Sequence, residues 1–252
     1  MIPATPLAAV LLDLDGTLLD TAPDLARALN ALRAEQQLPA LAFERIRPQV
    51  SNGANAVVRI GFPGADAAQF ELLRARFLEF YRAGLAVETR LFPGFDEVLS
   101  QLEAHRIPWG VITNKPRWLT EPLMQQLGLY QRAACLLSGD SLPVRKPDPL
   151  PLLTAARQLQ IEPARCLYLG DALRDMQAAR AANMVALGAS FGYIGAHDEV
   201  HDWPVTAWIE QPLELLAWVG LSRAAPLHAP HELLAWVGLA RGATRCAPQA
   251  RA

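Results

Sequence analysis

The sequence predicts an α/β fold in which a parallel sheet carries an all-helical insert. Three observations lead there. Short apolar runs at 7–12, 109–114, 135–138, 166–169 and 184–187 alternate, over most of the chain, with amphipathic stretches of helical spacing, as in strands joined by crossover helices. From about residue 20 to about residue 90 apolar residues recur only at helical spacing, with no convincing strand. Several strand-like runs end in polar residues, as expected of sheets that bind ligands at the carboxyl ends of their strands.

The first run stops at Asp13-Leu14-Asp15-Gly16-Thr17, so it reads as a buried strand entering a tight turn. Strand residues i and i+2 point the same way, which turns Asp13 and Asp15 toward one spot. Two carboxylates at one spot repel unless a cation lies between them or one keeps a proton. Either condition suits phosphoryl chemistry, in which one carboxylate attacks and the other carries a proton.

Thr21, with Asp24 three residues on and Pro23 between them, forms a capping-box-like helix start, and Leu25, Leu29 and Leu32 follow at helical spacing. A polar connection, Arg47 to Gly53, leads to a second helix through Val57 and Ile60. Phe70, Leu73, Phe77, Phe80 and Tyr81 stripe a third. Pro93-Gly94 opens a helix bearing Phe95, Val98, Leu99 and Leu102. The strand at 109–114 ends in Thr113-Asn114, and Gly128 stops the next helix. The strand at 135–138 runs into a loop around Gly139-Asp140. Pro147-Asp148-Pro149 opens a helix to about Leu159, and the strand from Cys166 ends in Gly170-Asp171. A helix from Leu173 to Ala182 leads to the last strand. Glu214 to Leu221 recurs residue for residue as Glu232 to Leu239, which reads as a tandem duplication. The first copy is expected to close the fold, and the tail 222–252 to be disordered or dispensable.

A net charge of −2 with mixed signs gives no basis for a nucleic-acid or acidic-membrane partner. No apolar stretch approaches the roughly 20 residues of a membrane span, and the N-terminus lacks a basic leader, so the chain is expected to be soluble and cytoplasmic, a monomer or homodimer. Cys135, Cys166 and Cys246 show no ligand spacing, and the first two sit in apolar runs. Of 23 basic residues only Lys115 and Lys146 are lysines, each followed by proline. Lysine and arginine differ most where a compact ammonium must fit.

Four stretches stand together: Asp13-x-Asp15-Gly16-Thr17, Thr113, Lys146-Pro147 and Gly170-Asp171-x-x-x-Asp175. In this order they resemble the four motifs of the haloacid dehalogenase superfamily of phosphatases, over about residues 7 to 210. The resemblance implies a Rossmann-like core, 1–19 plus 91–221, and a helical cap, 20–90. It implies Asp13 as nucleophile, Asp15 as acid and base, Thr113 and Asn114 as phosphate ligands and Lys146 as charge partner. It also implies Mg²⁺ held by Asp13, the Asp15 carbonyl, Asp171 and Asp175. Ala172 stands where many relatives carry a small polar residue, which removes no ligand. Asp15 argues against dehalogenase chemistry, whose enzymes lack this acid.

Val50-Ser51-Asn52-Gly53-Ala54, Gly110 to Pro116, Met124 to Leu129 and Phe191-Gly192-Tyr193-Ile194 are similar to the phosphoglycolate phosphatase group, and more closely to the N-acetylmuramic acid 6-phosphate phosphatases of cell-wall recycling. A small phosphorylated substrate is implied, read by Ser51, Asn52, Gly53, Asn114 and Lys115, with Arg47, Arg59 or Arg117 for a carboxylate. 2-Phosphoglycolate is the alternative substrate. A non-catalytic phosphate-binding protein, a phospho-acceptor domain and a mutase are the rival classes. The first should have lost a catalytic carboxylate, the second needs no helical insert, and the third would differ only in the insert.

Overall fold

The computed structural model describes residues 6–195 and 198–221. Strand β1 (Ala9–Leu12) lies inside a six-stranded parallel sheet with β4 (Trp109–Ile112), β5 (Cys135–Leu137), β6 (Cys166–Gly170), β7 (Val185–Ala189) and β8 (Ala207–Ile209). The order is β5-β4-β1-β6-β7-β8, so the chain builds outward from β1 on one side, then crosses back to the other. That reversal opens a crevice at the carboxyl ends of β4, β1 and β6. Strand alternation divides the core: Val10, Leu12, Val111, Leu167 and Leu169 pack on one face, and Ala9, Leu11, Ile112 and Tyr168 on the other. Helices α5 (Phe95–Ala104), α6 (Arg117–Gln126), α7 (Leu150–Leu159) and α8 (Leu173–Ala181) supply the crossovers. Gly110 admits Cys135 because a Cβ there would collide with its sulfur.

The chain leaves the core through β2 (Leu19–Asp20) and returns through β3 (Arg90–Leu91), which pair antiparallel. Neither two-residue strand is visible in the apolar pattern. Between them lie α1 (Ala22–Glu35), α2 (Phe43–Ile46), α3 (Gly53–Gly61) and α4 (Ala67–Ala83). Helices α1, α3 and α4 pack together around Leu25, Leu29, Leu32, Val57, Phe70 and Phe77. Asp66 caps α4 by accepting from the Gln69 amide, 2.9 Å. Thr21 makes no such cap on α1; its hydroxyl turns instead to Asp15, 2.7 Å away. Asp24 is also diverted. Buried beneath the returning strand, it accepts from the Thr89 amide and hydroxyl and from Arg27. Burial alone would raise its pKa; these donors outweigh burial and hold it below the ordinary value.

Strand β8 lies outside the apolar runs noted in the sequence, since Ala207-Trp208-Ile209 is bounded at once by Thr206 and Glu210. The first copy of the repeat does close the described fold, as a 3₁₀ turn at Pro212–Glu214 followed by α9 (Leu215–Trp218). Leu215, Leu216, Trp218 and Val219 are buried there, α9 packs on α5, and the Leu7 amide donates to the Trp218 carbonyl. The second copy and the tail lie outside the described residues. Cys135 and Cys166 are free thiols in the core, with pKa values that burial pushes up to about 12 and about 11.

A chain ending at Leu221 is expected to keep the denaturation midpoint of the full chain. One ending at Glu210 should lose on the order of 5 kcal/mol, since it strips several fully buried apolar side chains. Urea melts of both truncations check this, and a large loss in the longer one would show that the tail belongs to the core.

Candidate active site

Register delivers the site. Leu12 is level with Val111 of β4 and Leu169 of β6, so the residues just past these strands, Asp13, Thr113 and Asp171, emerge side by side. The Asp13 amide donates to the Leu169 carbonyl and the Thr113 amide to the Leu137 carbonyl. The turn after Asp15 needs Gly16: its φ is +82°, and a Cβ would strike the Asp171 carboxylate. Gly192 likewise lets the segment after β7 close on Asp171.

Asp13, Asp171 and Asp175 each offer a carboxylate oxygen within 4.8 Å of the others, all buried. Lys146, from the loop between β5 and α7, is 2% exposed. Its Nζ lies 2.9 Å from Asp13 Oδ1 and 2.7 Å from Asp175 Oδ1, and donates to the Tyr168 hydroxyl at 2.6 Å. The Tyr168 hydroxyl in turn donates to the Ile112 carbonyl at 2.7 Å. Asp175 sits in the first turn of α8 and also accepts from the Ala172 amide, so it serves the helix start and the cluster together.

The Lys146 ammonium and the nearby Arg174 guanidinium set two positive charges against three carboxylates. Burial, then the Asp13 and Asp175 charges, push the Asp171 carboxyl up to about 7, although Ser51 and the Tyr193 amide donate to it. Burial also raises Asp175 against the pull of Lys146. A buried, oxygen-only, under-compensated donor set fits a hard divalent cation.

Asp15 stands apart from this cluster. Its Oδ1 accepts from Thr21 at 2.7 Å and from Lys115 Nζ at 2.9 Å. Lys115 donates as well to the Tyr81 hydroxyl of α4, 2.8 Å. Burial would depress the Lys115 pKa, but Asp15 and then Tyr81 outweigh burial and hold it above the ordinary lysine value. Burial pushes the Tyr81 hydroxyl up to about 12.

A cleft of about 520 Å³ opens over these groups between the sheet and the helical insert. Asp13, Asp15, Ser51, Asn52, Gly53, Thr113, Asn114, Lys115 and Lys146 all line it, whereas Asp171 and Asp175 adjoin Asp13 without lining it. Several are already engaged. Ser51 gives its hydroxyl to Asp171 at 2.6 Å, Lys115 is held by Asp15 and Tyr81, and the Asn114 amide nitrogen donates to the Lys146 carbonyl at 2.9 Å. Thr113 accepts from the Lys115 amide, which leaves its hydroxyl proton for another acceptor.

The arginines differ from expectation. Arg47 stacks on Tyr193, Arg59 on Phe70, and Arg117 binds Asp140 and Glu121, and none lines the cleft. Arg74, Arg145 and Arg174 line it instead. Arg174 also donates to the Ser51 carbonyl, joining α8 to the insert. Tyr81, Tyr168 and Tyr193 were missed as site residues. Arg174 was legible, since it sits within Gly170 to Asp175, but nothing local marked Tyr81 beyond its place in an apolar stripe.

The family described as haloacid dehalogenase-like hydrolase matches residues 7–183. A phosphoglycolate phosphatase of Xanthomonas campestris is 44% identical over 207 residues, 82% of this chain and 94% of that one. An N-acetylmuramic acid 6-phosphate phosphatase of Pseudomonas putida is 44% identical over 212 residues, 83% of this chain and 94% of that one. Among solved structures, a haloacid dehalogenase-like family protein of Streptococcus pneumoniae superposes with a TM-score of 0.72 at 22% identity, covering 84% of this chain and 98% of that one, a likeness of fold.

The raised Asp171 carboxyl gives a pH signature. A carboxyl whose folded pKa lies above its unfolded value favours folding at low pH and loses that contribution as pH rises through the folded value. EDTA-treated protein should therefore lose stability relative to Asp171→Asn between about pH 4 and about pH 8, with the loss centred below the folded value of about 7. A divalent cation should restore most at the upper end. Denaturant midpoints across this range check it; parallel curves would mean Asp171 is ionised throughout.

Proposed function

The chain belongs to the haloacid dehalogenase-like hydrolases, and from that premise we propose that this phosphatase cleaves the phosphomonoester of an acidic sugar, using Mg²⁺ and an aspartyl-phosphate intermediate. The observation that carries this reading is Lys146, buried between Asp13 and Asp175 with Asp171 in reach.

Asp13 Oδ1 is fixed by the Leu14 amide at 2.7 Å and by Lys146, which aims the carboxylate and leaves its second oxygen to attack phosphorus. As that bond forms, the bond to the leaving oxygen breaks, and Asp15 supplies the proton. Asp15 then takes a proton from the water that cleaves the aspartyl-phosphate, releasing phosphate and restoring Asp13. The Thr113 hydroxyl and the Lys146 ammonium hold the phosphoryl oxygens, and Asn114 holds the Lys146 loop. Mg²⁺, held by Asp13, Asp171, Asp175 and the Asp15 carbonyl, would offset the charge of carboxylates and phosphate. No carboxylate of the set is missing, which argues against a binding-only scaffold.

The leaving group faces the helical insert, residues 20–90, which acts as the cap. A cleft of about 520 Å³ is far larger than a two-carbon acid fills. Asn52 and Asn55 offer amides for hydroxyl or acetamido groups, and Arg74 and Arg145 offer guanidinium groups for a carboxylate. N-acetylmuramic acid 6-phosphate has all these features, and its hydrolysis would place the enzyme in cytoplasmic peptidoglycan recycling. 2-Phosphoglycolate shares the carboxylate and is the second reading.

Asp13→Asn removes the nucleophile with little change in shape, and kcat should fall by at least ~10³. Near-normal turnover by pure variant would end the aspartyl-phosphate assignment. For the substrate, kcat/KM on one preparation should favour N-acetylmuramic acid 6-phosphate over 2-phosphoglycolate. A preference of about tenfold or more the other way would install the second reading.

A further inference from the structure

Lys115 is the other of the chain's two lysines, and the phosphate chemistry above leaves it without a task. It is buried, and its ammonium spans two groups from different parts of the fold: Asp15, at 2.9 Å and 3.3 Å to its two oxygens, and the hydroxyl of Tyr81, at 2.8 Å. Tyr81 is 1% exposed in the last turn of α4, stacked on Phe77, with its ring 4.6 Å from the same ammonium. The Asp15 side chain is 18% exposed. The open end of this chain of contacts is thus the carboxylate that meets the leaving oxygen, and the closed end is the helical insert.

We infer that Lys115 and Tyr81 are positioning residues for the acid: Lys115, in contact with both Asp15 oxygens, orients that carboxyl, and Tyr81 fixes Lys115 from the insert. The inference rests on Asp15 acting as the acid. In the first step the bond from Asp13 to phosphorus forms, the phosphorus–oxygen bond to the alcohol breaks, and the Asp15 proton moves to that oxygen. Holding the acid in line matters most where the leaving alkoxide is most basic and least where the leaving group departs unprotonated. Thr21, the other side-chain partner of Asp15, holds only Oδ1 and carries no charge.

Leaving-group dependence is the readout, because p-nitrophenolate departs without much protonation and a sugar or glycolate alkoxide does not. kcat/KM covers only steps through phosphoenzyme formation, so the later role of Asp15 as base does not enter. The comparison sets 2-phosphoglycolate and N-acetylmuramic acid 6-phosphate, both alkyl esters, against p-nitrophenyl phosphate. Whichever alkyl ester turns over faster gives the alkyl-to-aryl ratio of kcat/KM. Lys115→Met should lower that ratio at least about tenfold, and Tyr81→Phe, which removes one oxygen and keeps the charge, about threefold. An equal loss on both classes of ester, as a merely structural role would give, overturns the inference. If Lys115→Met does not fold, Tyr81→Phe decides alone, and an unchanged ratio overturns the inference. Asp15→Asn, run in parallel, separates the failures. A ratio unchanged there removes Asp15 as acid and the inference with it, whereas a ratio lowered there but not in the Lys115 and Tyr81 variants removes only the inference.

Discussion

Three carboxylates crowded beneath the cleft set the terms for the rest of the molecule. Asp13, Asp171 and Asp175 approach within 4.8 Å of one another with almost no solvent contact, where charges interact several-fold more strongly than in water. Lys146 is the cation in direct contact with the cluster, and its position between Asp13 and Asp175 explains why lysine survives there in a chain whose basic residues are nearly all arginine. An ammonium concentrates its charge in one small group, whereas a planar guanidinium would not fit between two carboxylates so close to a tyrosine hydroxyl. The remaining imbalance falls on Asp171, the carboxylate with hydrogen-bond donors but no cation against it. It is there that the carboxyl is pushed up to about 7.

Such a cluster persists only if the backbone holds it. The sheet does so by register, setting β1, β4 and β6 level so that their first polar residues meet. Glycines then remove the Cβ atoms that would keep these elements apart. Gly16 yields space to Asp171, Gly170 to Asp175, and Gly192 to Asp171 from the far side. Strand order contributes the crevice, because neighbouring crossovers diverge at the point where the sheet reverses.

Much of this was legible in the sequence because it is written in short local patterns. Apolar runs gave five of the six sheet strands, and the helical stripes gave α1, α3 and α4. Asp13, Asp15, Thr113, Lys146, Asp171 and Asp175 could be placed because each lies beside a strand end or loop whose type the pattern predicts. What the sequence did not show was pairing across distance. Thr21 looks like a helix cap, but Asp15 is the better partner for its hydroxyl. Ser51 and Lys115 look like open ligand groups, yet one serves Asp171 and the other Asp15. Of the cleft arginines, Arg174 lies inside a motif but Arg74 had no local signature. Arg47, Arg59 and Arg117 flank motifs, whereas Arg74 lies mid-helix and reaches the cleft only once α4 folds over the core.

Those long-range pairings follow one pattern. From the insert, Ser51 donates to Asp171 and Tyr81 receives Lys115, so one contact reaches the carboxylate cluster and the other reaches Asp15 through Lys115. Arg174 returns the connection by donating to the Ser51 carbonyl. The insert therefore does more than cover the cleft. Its contacts through Ser51, Thr21 and Tyr81 reach Asp171, Asp15 and the Lys115 that holds Asp15. Any motion that lifts the insert must break hydrogen bonds to Asp171 and Lys115, and any ligand that seats between insert and core bears on both. A two-stranded neck, β2 with β3, joins the parts beside Asp20, whose carboxylate accepts from Tyr193 while the Tyr193 amide donates to Asp171. The hinge and the carboxylate cluster are thus only one residue apart, and the position of the insert is tied to the state of the site by direct contact.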